Sequence, residues 1–163
     1  MKFPLQQLLT LFTEYDPEAT AKVSGSPHYP ELTGTVLFYP FWKGTLVVAL
    51  ISGLPTPDAP CSDSFFGFHV HAGKECSGTP ENPFANAGMH YNPENCPHPE
   101  HAGDLPPLIS NGGLAFQTFY TERFRPGDII GRTVIVHLNP DDFHTQPSGN
   151  SGTMIGCGEI KKF

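Results

Sequence analysis

Two histidines placed two residues apart could bind one metal ion. They lie in the run Phe68-His69-Val70-His71, and on a β-strand the side chains at i and i+2 leave the same face. Both imidazoles can therefore reach the same ion. Pairs of this kind on exposed strand faces also occur without a metal, so the pair predicts a site only together with further ligands.

Three more imidazoles and a carboxylate follow within fifteen residues, at His90, His98, His101 and Asp104. Three nitrogen ligands and one oxygen ligand make a tetrahedral zinc set, and the short spacers suit a loop folded around an ion. An alternative zinc set contains Cys96 in place of His90, because thiolates are good zinc ligands. The segment therefore predicts a zinc site and leaves its first ligand open.

His137 ends the apolar run Thr133-Val134-Ile135-Val136. A single histidine in this position is more often a structural residue with a hydrogen-bond partner than a metal ligand. The run alone therefore leaves both interpretations open.

The elements that must position these residues are predicted to be strands. Runs rich in β-branched and aromatic residues alternate with glycine and proline, whereas no segment after residue 16 sustains a helical period. The pattern favours an antiparallel sandwich or barrel. The predicted strands are Leu32 to Tyr39, Thr45 to Ser52, Phe65 to His71, Leu114 to Thr121, Gly131 to Leu138 and Met154 to Ile160.

Two long connections interrupt the strands, from Ala72 to Leu108 and from Asn139 to Thr153. Loops of this length are uncommon in a compact domain unless they are functional or tied down. Metal ligands within the first connection would tie it down.

Composition narrows the class of protein. A length of 163 residues suits one domain. The formal net charge is −7, and no run of lysine or arginine marks a surface for polyanions. We therefore expect no nucleic-acid partner and no membrane partner.

The first residues are expected to lack a signal peptide, because Pro4, Gln6 and Gln7 interrupt their apolar stretch. A cytoplasmic location follows as an expectation, with an exported form as the alternative. Four apolar residues at helical spacing also allow a short amphipathic helix. They are Leu5, Leu8, Leu9 and Phe12.

Four motifs, in order along the chain, resemble those of the copper/zinc superoxide dismutase family, from about Val36 to Ile160. The resemblance implies an eight-stranded Greek-key β-barrel, similar to an immunoglobulin sandwich, with two loops that hold metals outside it. We expect this barrel over residues 17–163, after an N-terminal extension of residues 1–16. The motifs are Gly67 to His71, His90 to Pro93, His101 to Leu105 and Gly131 to His137. The short spacing of His98 and His101 is similar to that of bacterial members.

The resemblance implies a ligand set for each metal, with His90 shared between them. Copper is expected at His69, His71, His90 and His137. Zinc is expected at His90, His98, His101 and Asp104.

Other positions take structural roles by the same resemblance. Asp141 matches an aspartate that hydrogen-bonds a copper histidine and a zinc histidine, here His69 and His98, although a turn residue in Asn139-Pro140-Asp141-Asp142 is the alternative. Cys76 and Cys157 match the disulfide of the family, whereas the pairing of Cys61 and Cys96 stays open. Arg132 matches an arginine that binds loop backbone. His28 and His144 fall outside the ligand pattern and are expected at the surface.

The implied function is conversion of superoxide to dioxygen and hydrogen peroxide, with His90 and His137 as catalytic residues. Members of the family occur as dimers or monomers, so a homodimer is compatible with the sequence. Met154 departs from the family, which places an arginine there to attract superoxide. A copper- and zinc-binding protein with weak or no turnover is therefore the alternative, and a zinc-only structural protein is a third.

Overall fold

A computed structural model describes residue 10, residues 14–56 and residues 64–163. The chain forms nine β-strands within these residues, together with a 3-10 helix at Ala85–Ala87 and a short helix α1 at Pro126–Ile129. The strands are β1 (Ala19–Gly25), β2 (Thr33–Phe41), β3 (Gly44–Ser52), β4 (Phe65–Phe66), β5 (Phe68–His71), β6 (Leu108–Ile109), β7 (Ala115–Thr121), β8 (Thr133–His137) and β9 (Met154–Lys162).

Seven strands form one antiparallel sheet in the order β5-β8-β9-β1-β2-β3-β7, and β4 pairs with β6. Side chains from strands near opposite edges, such as Phe68 on β5 and Val47 on β3, share one hydrophobic core. The sheet must therefore curl around that core, which confirms the predicted Greek-key barrel architecture.

Every predicted strand is present, and most of their bounds differ from the prediction by one or two residues. The predicted strand from Phe65 to His71 is interrupted at Gly67, whose N–H donates to the carbonyl of Asn139 and whose carbonyl accepts from the N–H of His137, both at 2.8 Å. Strands β1 and β6 and the helix α1 were not predicted. The inward side chains of β1 include two alanines, which give only a weak strand signal.

The first long loop lies along the free edge of β5. Tyr91 N–H donates to the carbonyl of Val70 at 2.8 Å, and Val70 N–H donates to the carbonyl of Gly103 at 2.9 Å. Isolated β-bridges join His71 to His90 and His69 to Asp104. The loop residues that could bind metal are thus brought beside the histidines of the strand.

The predicted disulfide between Cys76 and Cys157 is confirmed, and it ties the first loop to β9. Cys96 carries a free thiol, whereas Cys61 lies outside the described residues. Most of the predicted N-terminal helix lies outside them as well, and the domain boundary after residue 16 stays a prediction. Among the described residues, no helix is both long and apolar enough to cross a membrane.

Candidate metal centre

Strand β5, the end of β8 and the first loop bring four histidines together. His69 and His71 are two apart on β5, which pairs with β8, and His137 is the last residue of β8. His90 joins them through its bridge to His71. One nitrogen from each of these four buried side chains lies within 4.8 Å of the others. We refer to these residues as the four-histidine group.

Two backbone carbonyls determine which ring nitrogen of His71 and His137 carries the proton. Nδ1 of His71 lies 2.7 Å from the carbonyl oxygen of Gly88, and Nδ1 of His137 lies 3.2 Å from that of Gly152. Because a carbonyl oxygen only accepts, each Nδ1 is the donor, and each neutral ring keeps its lone pair on Nε2. These two Nε2 atoms lie 3.2 Å apart. Two lone pairs at this distance repel each other unless a cation binds both.

Burial keeps the imidazoles of His69, His71 and His137 uncharged at neutral pH. It is the largest cause that lowers the pKa of His71 well below 6.5 and that of His137 to about 3. Burial also lowers the pKa of His69, although its hydrogen bond to Asp141 acts in the opposite direction. Since a histidine must be neutral to bind a metal, His69, His71 and His137 can bind one without first losing a proton.

Two further nitrogens of the group are buried without a hydrogen-bond partner in the structure, Nδ1 of His69 and Nε2 of His90. The other nitrogen of each ring is occupied, at 2.7 Å from a carboxylate oxygen of Asp141 and of Asp104 respectively. A buried polar atom that lacks a partner is costly and calls for an explanation. The four available lone pairs suit a transition-metal ion that prefers imidazole, such as copper.

His90 also belongs to a second group, formed with His98, His101 and Asp104, in which one donor atom of each residue lies within 4.8 Å of the others. We refer to these residues as the loop group. The Asp104 carboxylate approaches Nδ1 of His90 at 2.7 Å, of His98 at 3.0 Å and of His101 at 3.3 Å. Burial alone would raise the pKa of Asp104, but the hydrogen bond from His90 and the neighbouring imidazoles lower it.

The contact between His98 and Asp104 is short but is not a hydrogen bond. Nε2 of His98 lies 2.9 Å from Oδ1 of Asp141, so a neutral His98 ring would carry its single proton there. Nδ1 of His98 then carries a lone pair and has no hydrogen-bond partner. It faces Oδ2 of Asp104 at 3.0 Å. A cation bound by both atoms would remove this repulsion, and three nitrogens with one carboxylate oxygen fit zinc.

Asp141 lies between the two groups. Oδ2 is 2.7 Å from Nε2 of His69, and Oδ1 is 2.9 Å from Nε2 of His98 and accepts from the N–H of Phe143 at 2.7 Å. Burial would raise the pKa of Asp141, but these hydrogen bonds lower it strongly, so the carboxyl is ionised. Gly149, at φ +67°, packs against this carboxylate so closely that an added Cβ would overlap Oδ1.

Two side chains that hold the loop group were missed from sequence. Arg123 donates from Nη1 to the carbonyls of Pro99 at 2.8 Å and His101 at 3.1 Å. Gln146, in the second long loop, accepts from the N–H of His98 at 3.0 Å and donates to its carbonyl at 2.6 Å. Both bind backbone atoms, so no ligand spacing in the sequence could have revealed them.

The remaining sequence candidates lie outside the two groups. Arg132 donates to the carbonyl of Ala72 at 3.1 Å, in keeping with the structural role expected for it. The thiol of Cys96 is absent from both sets of converging atoms in the described residues, which disfavours the alternative zinc set. His28 and His144 are exposed, as expected.

A cavity of about 350 Å³ leads to the four-histidine group. His71, His90 and His137 lie in its wall together with Glu81, Met89 and Met154. No lysine or arginine from the described part of the chain lines it. An anion that enters this cavity therefore meets a carboxylate and no fixed positive side chain.

Known proteins resemble this chain over most of its length. The family model for copper/zinc superoxide dismutase (SODC) matches residues 32–160. A Cu-Zn superoxide dismutase of Deinococcus radiodurans is 32% identical over 146 residues, which cover 78% of this chain and 76% of that protein. Cu-Zn superoxide dismutase 3 of Arabidopsis thaliana is 32% identical over 132 residues, covering 71% of this chain and 74% of that one.

A solved structure also resembles this chain in its fold. The Cu/Zn superoxide dismutase from Brucella abortus superposes with a TM-score of 0.73 at 28% identity, over 88% of this chain and 100% of that chain. The matched residues include both ligand groups, which lie between His69 and His137. Sequence, fold and donor atoms therefore agree that the chain belongs to the copper/zinc superoxide dismutase family.

Proposed function

We propose that the chain dismutes superoxide at a two-metal centre in which His90 joins a copper site to a zinc site. The observation that carries the proposal is the position of the His90 ring. Its Nδ1 lies among the donor atoms of the loop group, 2.7 Å from Asp104 and 3.4 Å from Nδ1 of His101. Its Nε2 is buried without a hydrogen-bond partner and is therefore available to the four-histidine group.

The donor sets suit different metals. His69, His71, His90 and His137 offer four imidazoles, which suit Cu(II), whereas His90, His98, His101 and Asp104 offer the mixed set that suits Zn(II). An imidazole that binds both ions must lose both ring protons, and two adjacent cations stabilise that anion. We therefore assign copper to the four-histidine group and zinc to the loop group.

A bound copper ion supplies the one-electron redox change of dismutation, in which one superoxide loses an electron, a second gains it, and two protons complete hydrogen peroxide. The residues of the chain provide access and protons. His90 and His137 line the cavity that substrate enters, and Nε2 of His90 can hold a proton whenever it binds no metal. Zinc does not change oxidation state, so its role is to hold His90 and the loop in place.

Superoxide turnover by the copper- and zinc-loaded protein tests the proposal, with both metals quantified in each sample. His137→Ala removes one of the four imidazoles and is expected to reduce turnover to that of free-metal controls. His144→Ala is the matched control, because His144 is exposed and lies outside both groups. If the wild type binds one copper and one zinc but shows no turnover above those controls, a metal-binding role replaces the enzymatic one.

A homodimer remains a proposal, and an exposed apolar face of the sheet supports it. Leu50 and Phe116 are cross-strand partners on β3 and β7, and they are 48% and 68% exposed. Strand β7 is an edge of the sheet among the described residues. The mass of the wild type by light scattering, compared with that of Phe116→Glu, tests whether this face joins two copies.

The cellular compartment of the protein also stays a prediction. Cytoplasmic location was expected from sequence, whereas the disulfide between Cys76 and Cys157 favours an oxidising compartment. Fractionation of the source cells, with the thiol state trapped by alkylation, separates the cytoplasmic form from an exported one.

A further inference from the structure

Two of the three methionines in the chain line the cavity above the four-histidine group. They are Met89 and Met154. Met89 is 57% exposed, and Met154 is half-buried. Glu81 is the carboxylate in the same wall. The wall of the cavity thus contains two thioether side chains, one carboxylate and three histidines.

The backbone carries each methionine close to one histidine of the pair that faces the cavity. Met89 directly follows Gly88, whose carbonyl binds Nδ1 of His71 at 2.7 Å. Met154 lies two residues after Gly152, whose carbonyl binds Nδ1 of His137 at 3.2 Å, and it is the strand partner of His137. Both thioethers therefore belong to backbone segments tied to the histidines whose Nε2 atoms lie 3.2 Å apart.

Packing explains only one of these methionines. Met154 packs against a buried cluster that contains Phe84, Ile135 and Cys157, so part of its side chain has a structural role. Met89 belongs to none of the hydrophobic clusters of the described residues. A flexible apolar side chain that is more than half exposed at the wall of a cavity gains little from packing there.

Thioethers have a distinct preference among metal ions. Sulfur of methionine is soft and polarisable, and it selects Cu(I) over hard or strongly hydrated cations. A nearby carboxylate attracts a cation, and the lack of lysine and arginine in the described lining removes repulsion. We propose that Met89 and Met154 form a Cu(I)-binding site in the wall of the cavity, from which the ion passes to His71 and His137. This inference rests on the proposed copper role of the four-histidine group.

The test uses the full chain loaded with zinc and free of copper. Ag(I), a redox-silent analogue of Cu(I), is added while the methionine methyl resonances are followed by NMR. Cu(I) uptake from a coloured chelator is then measured without oxygen for the wild type, Met89→Leu, Met154→Leu and the double variant. Leucine is close to methionine in volume and has no sulfur.

The expected result is a shift of both methyl resonances below one equivalent of Ag(I), with Cu(I) uptake about tenfold slower in the double variant. Cu(II) affinity should change by less than about twofold, because thioethers contribute little to Cu(II) sites that are rich in imidazole. Unmoved methyl resonances, or uptake at the wild-type rate in the double variant, would overturn the inference. Failure of the wild type to bind Cu(II) would instead contradict the proposed function, so the two failures are distinct.

Discussion

Oδ1 of Asp141 lies 2.9 Å from Nε2 of His98, while the other oxygen of the same carboxylate lies 2.7 Å from Nε2 of His69. One ionised side chain therefore sets the proton position in a ring of each ligand group, because both rings must donate from Nε2. Nδ1 of each ring then keeps a lone pair with which it could bind a metal.

Asp141→Asn is expected to weaken the binding of at least one metal by about ten- to a hundredfold. An amide offers one oxygen acceptor and one NH₂ donor, so one of the two rings must present an unprotonated Nε2 and place its proton on Nδ1. Competition with chromophoric chelators, run separately for copper and zinc, shows which ring is affected. Asp142→Asn makes the same charge change next to the site, and an equal loss of affinity in that variant would refute the argument.

Arg123→Gln is expected to weaken zinc binding by about tenfold while leaving copper affinity within about twofold. The guanidinium holds the carbonyls of Pro99 and His101, so its loss frees the part of the loop that carries three of the four proposed zinc ligands. Zinc competition titrations measure the effect. Arg123→Lys should restore only part of the affinity, since an ammonium lacks the planar fork of donors.

Arg125 provides the control for that experiment, because it carries the same charge two residues away and lies at the start of α1, where its backbone N–H donates to Oδ2 of Asp128 at 2.8 Å. If Arg125→Gln weakens zinc binding as much as Arg123→Gln does, the effect comes from net charge and not from the loop contacts.

The sequence pattern was sufficient to predict most of the strands and the placement of His69 and His71 on one face. The side chains of His69 and His71 leave the same face because they are two residues apart on a strand. The Gly/Pro-rich connections separate the strands clearly. The resemblance to a family predicted what spacing left open, namely that His137 joins the same group and that His90 rather than Cys96 belongs to the zinc set.

Other features could not be predicted because they depend on tertiary contacts with backbone. Arg123 acts on carbonyls more than twenty residues earlier in the chain, and Gln146 acts on the N–H and carbonyl of His98 from another loop. Strand β1 was not predicted because its inward residues Ala19 and Ala21 are small, so its alternation between apolar and polar residues is weak. Burial in the assembled barrel, and not local preference, determines this strand.

The metal-free protein is expected to lose stability on acidification from about pH 6.5 toward pH 3. The pKa of His137 is lowered to about 3 in the folded state from 6.5, chiefly by burial. Between these values the unfolded chain binds a proton that the folded chain does not, so the free energy of unfolding rises with pH. Urea denaturation at several pH values should give this slope.

A matched pair of variants identifies the groups that are responsible. His137→Gln removes one titrating imidazole and should make the dependence on pH shallower, whereas His144→Gln makes the same substitution at an exposed position outside both groups and serves as the control. The pKa of His71 is lowered in the same direction, so part of the slope is expected to persist. An identical slope in the wild type and in His137→Gln would contradict the assignment of His137 as a buried neutral group.

Met154→Arg is expected to raise superoxide turnover per bound copper by about tenfold at low ionic strength. The described lining of the cavity contains Glu81 and no lysine or arginine, so an anion gains no attraction on entry. A guanidinium there would supply it, and the gain should shrink toward 0.15 M salt, where the Debye length is about 8 Å. Stopped-flow decay of superoxide over a salt series measures both effects. Met154→Leu is the neutral control, and its turnover per bound copper should match that of the wild type. Equal rates per bound copper for the arginine and leucine variants at low salt would show that charge in this cavity does not limit substrate entry.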